Sequence, residues 1–167
     1  QQIKINNDGV VFRSPINGDE LFLGPKESIK IQEKLGADII FSFDECTPPL
    51  ADYNYVKKSL EKTHKWAKIC LAAHKEPQKS KQALFGIVQG SRFKDLRVES
   101  AKFIGGLDFD GFGIGGSFDK EDIGTAVRWV NEILPEEKPR HLLGIGEPED
   151  IFMGIENGVD LFDCVAR

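Results

Sequence analysis

Apolar and polar residues alternate along the first part of this chain and cluster in longer runs after it. Residues 3–23, IKINNDGVVFRSPINGDELFL, alternate between the turn-forming triplets Asn7-Asp8-Gly9 and Asn17-Gly18-Asp19. That pattern predicts a β-meander. Residues 24–36, GPKESIKIQEKLG, predict a short helix: Pro25 suits the first turn, Ile29, Ile31 and Leu35 give an approximate apolar face, and Gly36 suits the stop. From residue 37 a second rhythm begins. Strand runs at 37–43, 83–90, 109–116, 140–146 and 159–165 alternate with helical patterns at 55–74, 93–106, 120–134 and 147–158. In the helix at 55–74, Val56, Leu60, Ala67, Cys70 and Leu71 share one face.

Near-continuous apolar strands joined by helices predict a parallel sheet covered on both faces. Two architectures fit, an open doubly wound sheet and part of a (β/α)₈ barrel. Both place chemistry at the carboxyl ends of the strands. The residues at those ends are Asp44, Gln89, Gly115-Gly116, Gly144-Ile145-Gly146 and Asp163. Acids, an amide and bare backbone at five strand ends read as a binding floor.

Composition narrows the function classes. The chain has 167 residues, 40% hydrophobic and 29% charged, an ordinary balance for one soluble domain. No apolar run approaches the roughly 20 residues that span a bilayer. The net charge of −5 argues against a broad basic nucleic-acid footprint, though not against a local grip on RNA. Cys46, Cys70 and Cys164 are odd in number and widely spaced, with no C-x-x-C, so neither a disulfide framework nor a zinc site is expected here. A reducing cytoplasm is the simplest reading.

Each candidate motif has a functional and a plain reading. GFGIGG (111–116) matches G-x-G-x-x-G in form, but its glycines are the strand itself and no acid ends a strand about 20 residues on, so a dinucleotide site is not expected. The plain reading is tight helix–sheet packing; the other is a strand end where a flat ligand lies against backbone groups. In FDECTPP (43–49), Asp44 either caps the turn or presents a carboxylate to adjacent N–H and NH₂ donors, such as a guanine edge. In FGIVQGS (85–91), Gln89 is either a structural bridge or a group that both donates to and accepts from a purine-like edge. Asp163 sits between Phe162 and Cys164, where a charge is expensive unless paired or at an open strand end. It either caps or pairs locally, or it is a nucleophile or general base. A carboxylate nucleophile suits displacement at a sugar C1′. His64 and His74 read as surface or partly buried helix residues, and His141, opening a strand, as structural.

Together FDECTPP, FGIVQGS, GFGIGG, HLLGIGEPED (141–150) and GVDLFDCV (158–165) resemble the tRNA-guanine transglycosylase, or queuine tRNA-ribosyltransferase, family, in order and spacing across nearly the whole chain. The resemblance implies a modified (β/α)₈ barrel, seen here as about five parallel strands (25–167) after the meander (1–24). It implies exchange of guanine 34 in tRNA anticodons for a 7-deazaguanine. Asp163 then matches the nucleophile that holds the ribose covalently, and Asp44 the acid that reads the base edge. Gln89, Gly115, Gly116, Ser117, Leu143 and Gly144 match further base contacts, and Cys46 a pocket-lining cysteine.

GGSFDKE (115–121) departs from the bacterial pattern: Ser117 replaces a leucine, Asp119 a small apolar residue, and Glu121 keeps the place of a glutamate. These positions bear on the 7-substituent. The closing FDCVAR lacks the family's Pro-Thr. The general acid/base aspartate is expected upstream of position 1, and the zinc ligands downstream of 167. The chain is therefore expected to be a piece of a larger cytoplasmic enzyme, a possible homodimer whose partners are tRNA and a free base. Two other readings are a non-catalytic subunit that binds RNA or a partner, and an unrelated (β/α) enzyme using the same floor for a purine-like ligand.

Overall fold

The computed structural model describes residues 3–75, 81–116 and 123–165. Three antiparallel strands open it: β1 (Lys4–Ile5), β2 (Val10–Arg13) and β3 (Glu20–Leu23), with Val10 paired to Leu23. The Asn6 side-chain oxygen accepts from the N–H groups of Asp8 and Gly9 and closes the first turn.

Helix α1 (Pro25–Leu35) follows, ended by Gly36 at φ 77°. Its apolar face is narrower than the sequence predicts. Ile29 is buried, whereas Ile31 and Leu35 are exposed, because positions 29 and 31 lie on different sides of a helix. The residue doing the work is Gln32, whose amide donates to the Phe41 carbonyl (2.8 Å) and accepts from the Phe41 N–H (3.0 Å). It thereby supplies the partner that an edge strand lacks.

The remaining strands are β4 (Ile39–Phe41), β5 (Ala83–Val88), β6 (Gly111–Ile114), β7 (Arg140–Leu142) and β8 (Leu161–Phe162), parallel and in the order β4-β5-β6-β7-β8. Helices α2 (Tyr53–Lys75), α3 (Lys94–Gly105), α4 (Ile123–Asn131) and α5 (Pro148–Glu156) connect them. Each strand is shorter than its apolar run, because pairing ends before the run does.

The sheet is curled, which settles the choice between open sheet and barrel. In a flat sheet β4 and β7 lie three spacings, about 14 Å, apart. Here the ring of Phe41 on β4 meets the ring of His141 on β7 edge-on, at 5.3 Å between centroids. Phe41 also meets Phe85 at 5.6 Å. Gly111 and Gly113 make room for these rings on the concave face. A Cβ on Gly111 would fall 2.4 Å from the Phe85 ring, and one on Gly113 3.1 Å from that of Phe41. Those two glycines serve the concave face, not helix–sheet packing; Gly86, beneath Phe109 and Ile104, serves the latter. The result is an α/β partial TIM barrel.

The alternate residues, Ile40, Leu84, Val88, Phe112, Ile114 and Leu142, point to the convex face and bury against the helices, including Ala67, Cys70, Ile104, Val127 and Val130. At the amino ends of the strands, the Asp110 carboxylate accepts from Leu84 N–H and that of Asp160 from Arg140 N–H. The Arg140 side chain donates in turn to the carbonyls of Leu134 and Gly158, which follow α4 and α5. No helix among the described residues is long and apolar enough to cross a membrane.

Candidate active site

The concave sheet gathers two groups of residues at its carboxyl edge. The first begins where β4 ends. Glu45 turns outward and is gripped by α2: Tyr55 Oη donates to its Oε1 (2.7 Å) and Lys62 Nζ to its Oε2 (2.7 Å). Ser59 Oγ donates to its carbonyl, and its own N–H donates to Thr63 Oγ1. Burial alone would raise the Glu45 pKa, but the bonds from Lys62 and Tyr55 hold it below its ordinary value. With Glu45 anchored, the neighbouring Asp44 carboxylate is directed across to β5, where Gln89 Nε2 donates to its Oδ2 at 2.6 Å. Burial pushes the Asp44 pKa up, Gln89 opposes that shift, and the charge of Glu45 adds to it.

Gln89 is buried and doubly held. Its backbone N–H donates to Ser100 Oγ on α3. Its Oε1 is buried without a hydrogen-bond partner among the described residues. That oxygen lies beside Gly116: a Cβ on Gly116, at φ 106°, would fall 3.1 Å from it and 2.6 Å from Arg97 Nη2. A Cβ on Gly115 would fall 2.7 Å from Gln89 Nε2. A side chain at either position would displace Gln89 or Arg97, and Gly116 also needs glycine for its backbone conformation.

Beneath this floor lies Arg97, fully buried, a residue the sequence reading passed over. Its Nε donates to the Ser91 carbonyl and its Nη1 to the Gly115 carbonyl, each at 2.7 Å. Burial lowers its pKa to about 10, a shift that Cys46 opposes, so the guanidinium stays charged at neutral pH. Cys46 itself is exposed. Arg97 sits on the buried stripe of α3 with Ser100, Ala101 and Ile104. An arginine at helical spacing within an apolar face was the available signal.

The second group joins β7 and β8. Leu143 reaches over the concave face; its Cδ1 would lie 3.2 Å from a Cβ on Gly113. The Gly144 N–H donates to Asp163 Oδ1 at 2.9 Å, from a residue at φ 72°. His141 Nε2 lies 2.8 Å from the same oxygen. His141, which the sequence reading made structural, thus touches Asp163. Partial burial would raise the Asp163 pKa, but the Gly144 N–H and His141 together hold it lower. Asp163 is therefore an ionised carboxylate at neutral pH, 55% exposed, with Oδ1 pinned and Oδ2 unbonded among the described residues. A carboxylate held by one oxygen and open at the other, at a strand end, suits attack on an electrophilic carbon.

Phe41, Gly113 and Leu143 link the two groups across the concave face. Ser117, Asp119 and Glu121 lie outside the described residues. Among the described residues no three His, Cys, Asp or Glu side chains converge as metal ligands.

Comparison with known proteins bears on this geometry. The family model described as queuine tRNA-ribosyltransferase matches residues 1–167. A protein of Archaeoglobus fulgidus is 52% identical over 164 residues, covering 97% of this chain and 40% of the relative. Queuine tRNA-ribosyltransferases of Symbiobacterium thermophilum and Geobacillus kaustophilus are 51% and 46% identical over 165 residues, covering 97% of this chain and 41% and 43% of theirs. The chain thus spans about two fifths of the length of these curated relatives.

Proposed function

The chain belongs to the queuine tRNA-ribosyltransferase family, and from that premise we propose that the complete protein exchanges guanine 34 of a tRNA anticodon for a 7-deazaguanine. Asp163 carries the reaction. Its Oδ2 attacks the ribose C1′, an Oδ2–C1′ bond forms, and the C1′–N9 bond breaks with its electron pair leaving on the base. The transition state resembles an oxocarbenium ion, which the carboxylate charge stabilises. The incoming base then attacks C1′ through N9, the Asp163 carboxylate departs, and N9 gives up its proton. Proton transfer to and from the bases falls to an aspartate that the resemblance places upstream of residue 1.

Asp44, Gln89 and the Gly115–Gly116 backbone form the base floor on this reading. A purine edge with adjacent N–H and NH₂ donors fits the Asp44 carboxylate, and Gln89 Oε1, without a partner among the described residues, and the bare backbone of Gly116 offer further polar contacts. Leu143 gives the base an apolar face and Cys46 lines the pocket on the same reading, and the resemblance matches Ser117 to a further base contact. The same reading places zinc in a part of the complete protein beyond residue 167 and allows pairing of two copies; no residue of this stretch is assigned to either.

The observation that supports the reading most is the pinned, ionised Asp163 at an open strand end. The test is exchange of labelled guanine into tRNA by the complete protein, with trapping of the covalent RNA adduct. Asp163→Asn is expected to lower exchange by about 10³-fold or more and to abolish the adduct. Exchange at the parental rate in that variant would remove Asp163 from the chemistry. Tight tRNA binding with no exchange by the parent protein would favour a non-catalytic subunit instead.

A further inference from the structure

His141 makes a contact that its place at the start of the strand run does not explain. Its Nε2 stands 2.8 Å from Asp163 Oδ1, the oxygen that also receives the Gly144 N–H. An ionised carboxylate offers only lone pairs, so Nε2 is the nitrogen that carries the proton. Two donors on one oxygen fix the rotation of the carboxylate and leave Oδ2 as the free one.

The ring is itself held. It meets Phe41 edge-on at 5.3 Å with an 85° interplanar angle, and Phe41 is braced against Phe85. Gly113, the β6 residue in register with His141, leaves the concave face clear beside the ring. On its other side His141 pairs with Leu161, two residues before Asp163, which places the ring diagonally opposite the carboxylate. The His141 side chain is 14% exposed against 55% for Asp163, so the donor comes from a shielded position to a wet acceptor.

We infer that His141 is a positioning residue for Asp163: through Nε2–H it fixes Oδ1, aims Oδ2 outward, and stabilises the carboxylate each time it is released from the ribose. The inference rests on Asp163 as the nucleophile. In the first half-reaction the bond restrains the carboxylate that must reach C1′. Once Oδ2 is bonded to C1′, Oδ1 is the ester carbonyl oxygen and still accepts from Nε2–H. In the second half-reaction the Oδ2–C1′ electron pair returns to the carboxylate, whose charge strengthens the same bond. His141 forms no covalent bond, and its proton stays on Nε2.

The experiment compares His141→Phe and His141→Gln in the complete protein, with Asp163→Ala alongside. His141→Phe keeps a planar ring against Phe41 but has no donor; His141→Gln restores an N–H. His141→Phe is expected to lower kcat by about 10- to 100-fold, the effect of one charge-assisted hydrogen bond. The KM for free guanine should stay within about twofold, since the base floor is untouched. His141→Gln should recover most of the lost kcat. If His141→Phe does not fold, His141→Leu is read in its place. Unchanged kcat in the donor-less variant, equal loss in the phenylalanine and glutamine variants, or a loss confined to KM would each overturn the inference. If Asp163→Ala also retained exchange, the nucleophile assignment itself would fail; if only Asp163→Ala lost it, the role of His141 alone would.

Discussion

Two aspartates in GVDLFD, three residues apart, show how much a single position decides. Asp160 accepts from the N–H that opens β7 and Asp163 from the N–H of Gly144 just past its end. One therefore lies at the amino edge, where carboxylates set strand register, and the other at the carboxyl edge, where barrels place their chemistry. The two site carboxylates are also displaced in opposite directions. Burial pushes Asp44 up, while Gly144 and His141 hold Asp163 down against its own partial burial. Such divergence separates roles within one site. On the proposed reading, recognition by Asp44 needs its ionised form, so acidification of the complete protein should raise the KM for guanine at a pH where Asp163 is still charged. KM and kcat profiles carried from neutral pH into the acid range would show the KM climbing before kcat falls. Asp44→Asn should raise the KM by about 10- to 100-fold at neutral pH and flatten its pH dependence. A KM that climbed only together with the fall in kcat, or after it, would contradict this.

Helix α2 was legible as an amphipathic helix but not in what it buries. Of the apolar face read from the sequence, Val56, Leu60, Ala67 and Cys70 are buried, and Leu71 is partly buried against the core. Ser59, Thr63, His64 and Trp66 are buried too, because this helix also grips Glu45 and supports β5. His64, expected as a surface or partly buried helix residue, is buried: it stacks on Phe103 at 4.1 Å and lies 3.3 Å from Ser100 Oγ, the acceptor for the Gln89 N–H. Burial, with Lys68 nearby, lowers its pKa from 6.5 to about 4. The unfolded chain thus binds a proton between those values while the folded chain does not. Stability is lost as pH falls from about 6.5 to 4, by up to about 3 kcal/mol from this group. Urea unfolding of the complete protein at pH 7 and pH 5 would measure it. His64→Phe keeps the stacking and should shrink the difference; an unchanged slope would place the pH dependence elsewhere.

At the scale of the whole molecule the five-stranded sheet has two edges, β4 and β8. Gln32 covers the Phe41 backbone of β4. Leu161 and Phe162 of β8 are only half-buried, and Phe152 and Ile155 of the preceding helix α5 are 71% and 57% exposed. The 167-residue stretch expressed by itself should therefore self-associate through the β8–α5 side. Sedimentation over a concentration series should give masses above 18.6 kDa, and replacing Phe152 and Ile155 by lysine should reduce them. A monomer at every concentration would refute the expectation. The sequence by itself determined the alternation of strands and helices, the direction of the strands and the residues at their carboxyl ends, because period, turn residues and apolar runs are local. It also determined the family, since five motifs stand in register. Tertiary structure alone decided that the sheet curls, that Arg97 lies under the glycine floor, that Glu45 aims Asp44, and that His141 meets Asp163. Arg97 and the glycine floor, and His141 and Asp163, are far apart in sequence, and only the curvature and register of the sheet bring them within bonding distance; Glu45 can aim its neighbour Asp44 only because α2 packs where Tyr55 and Lys62 reach it.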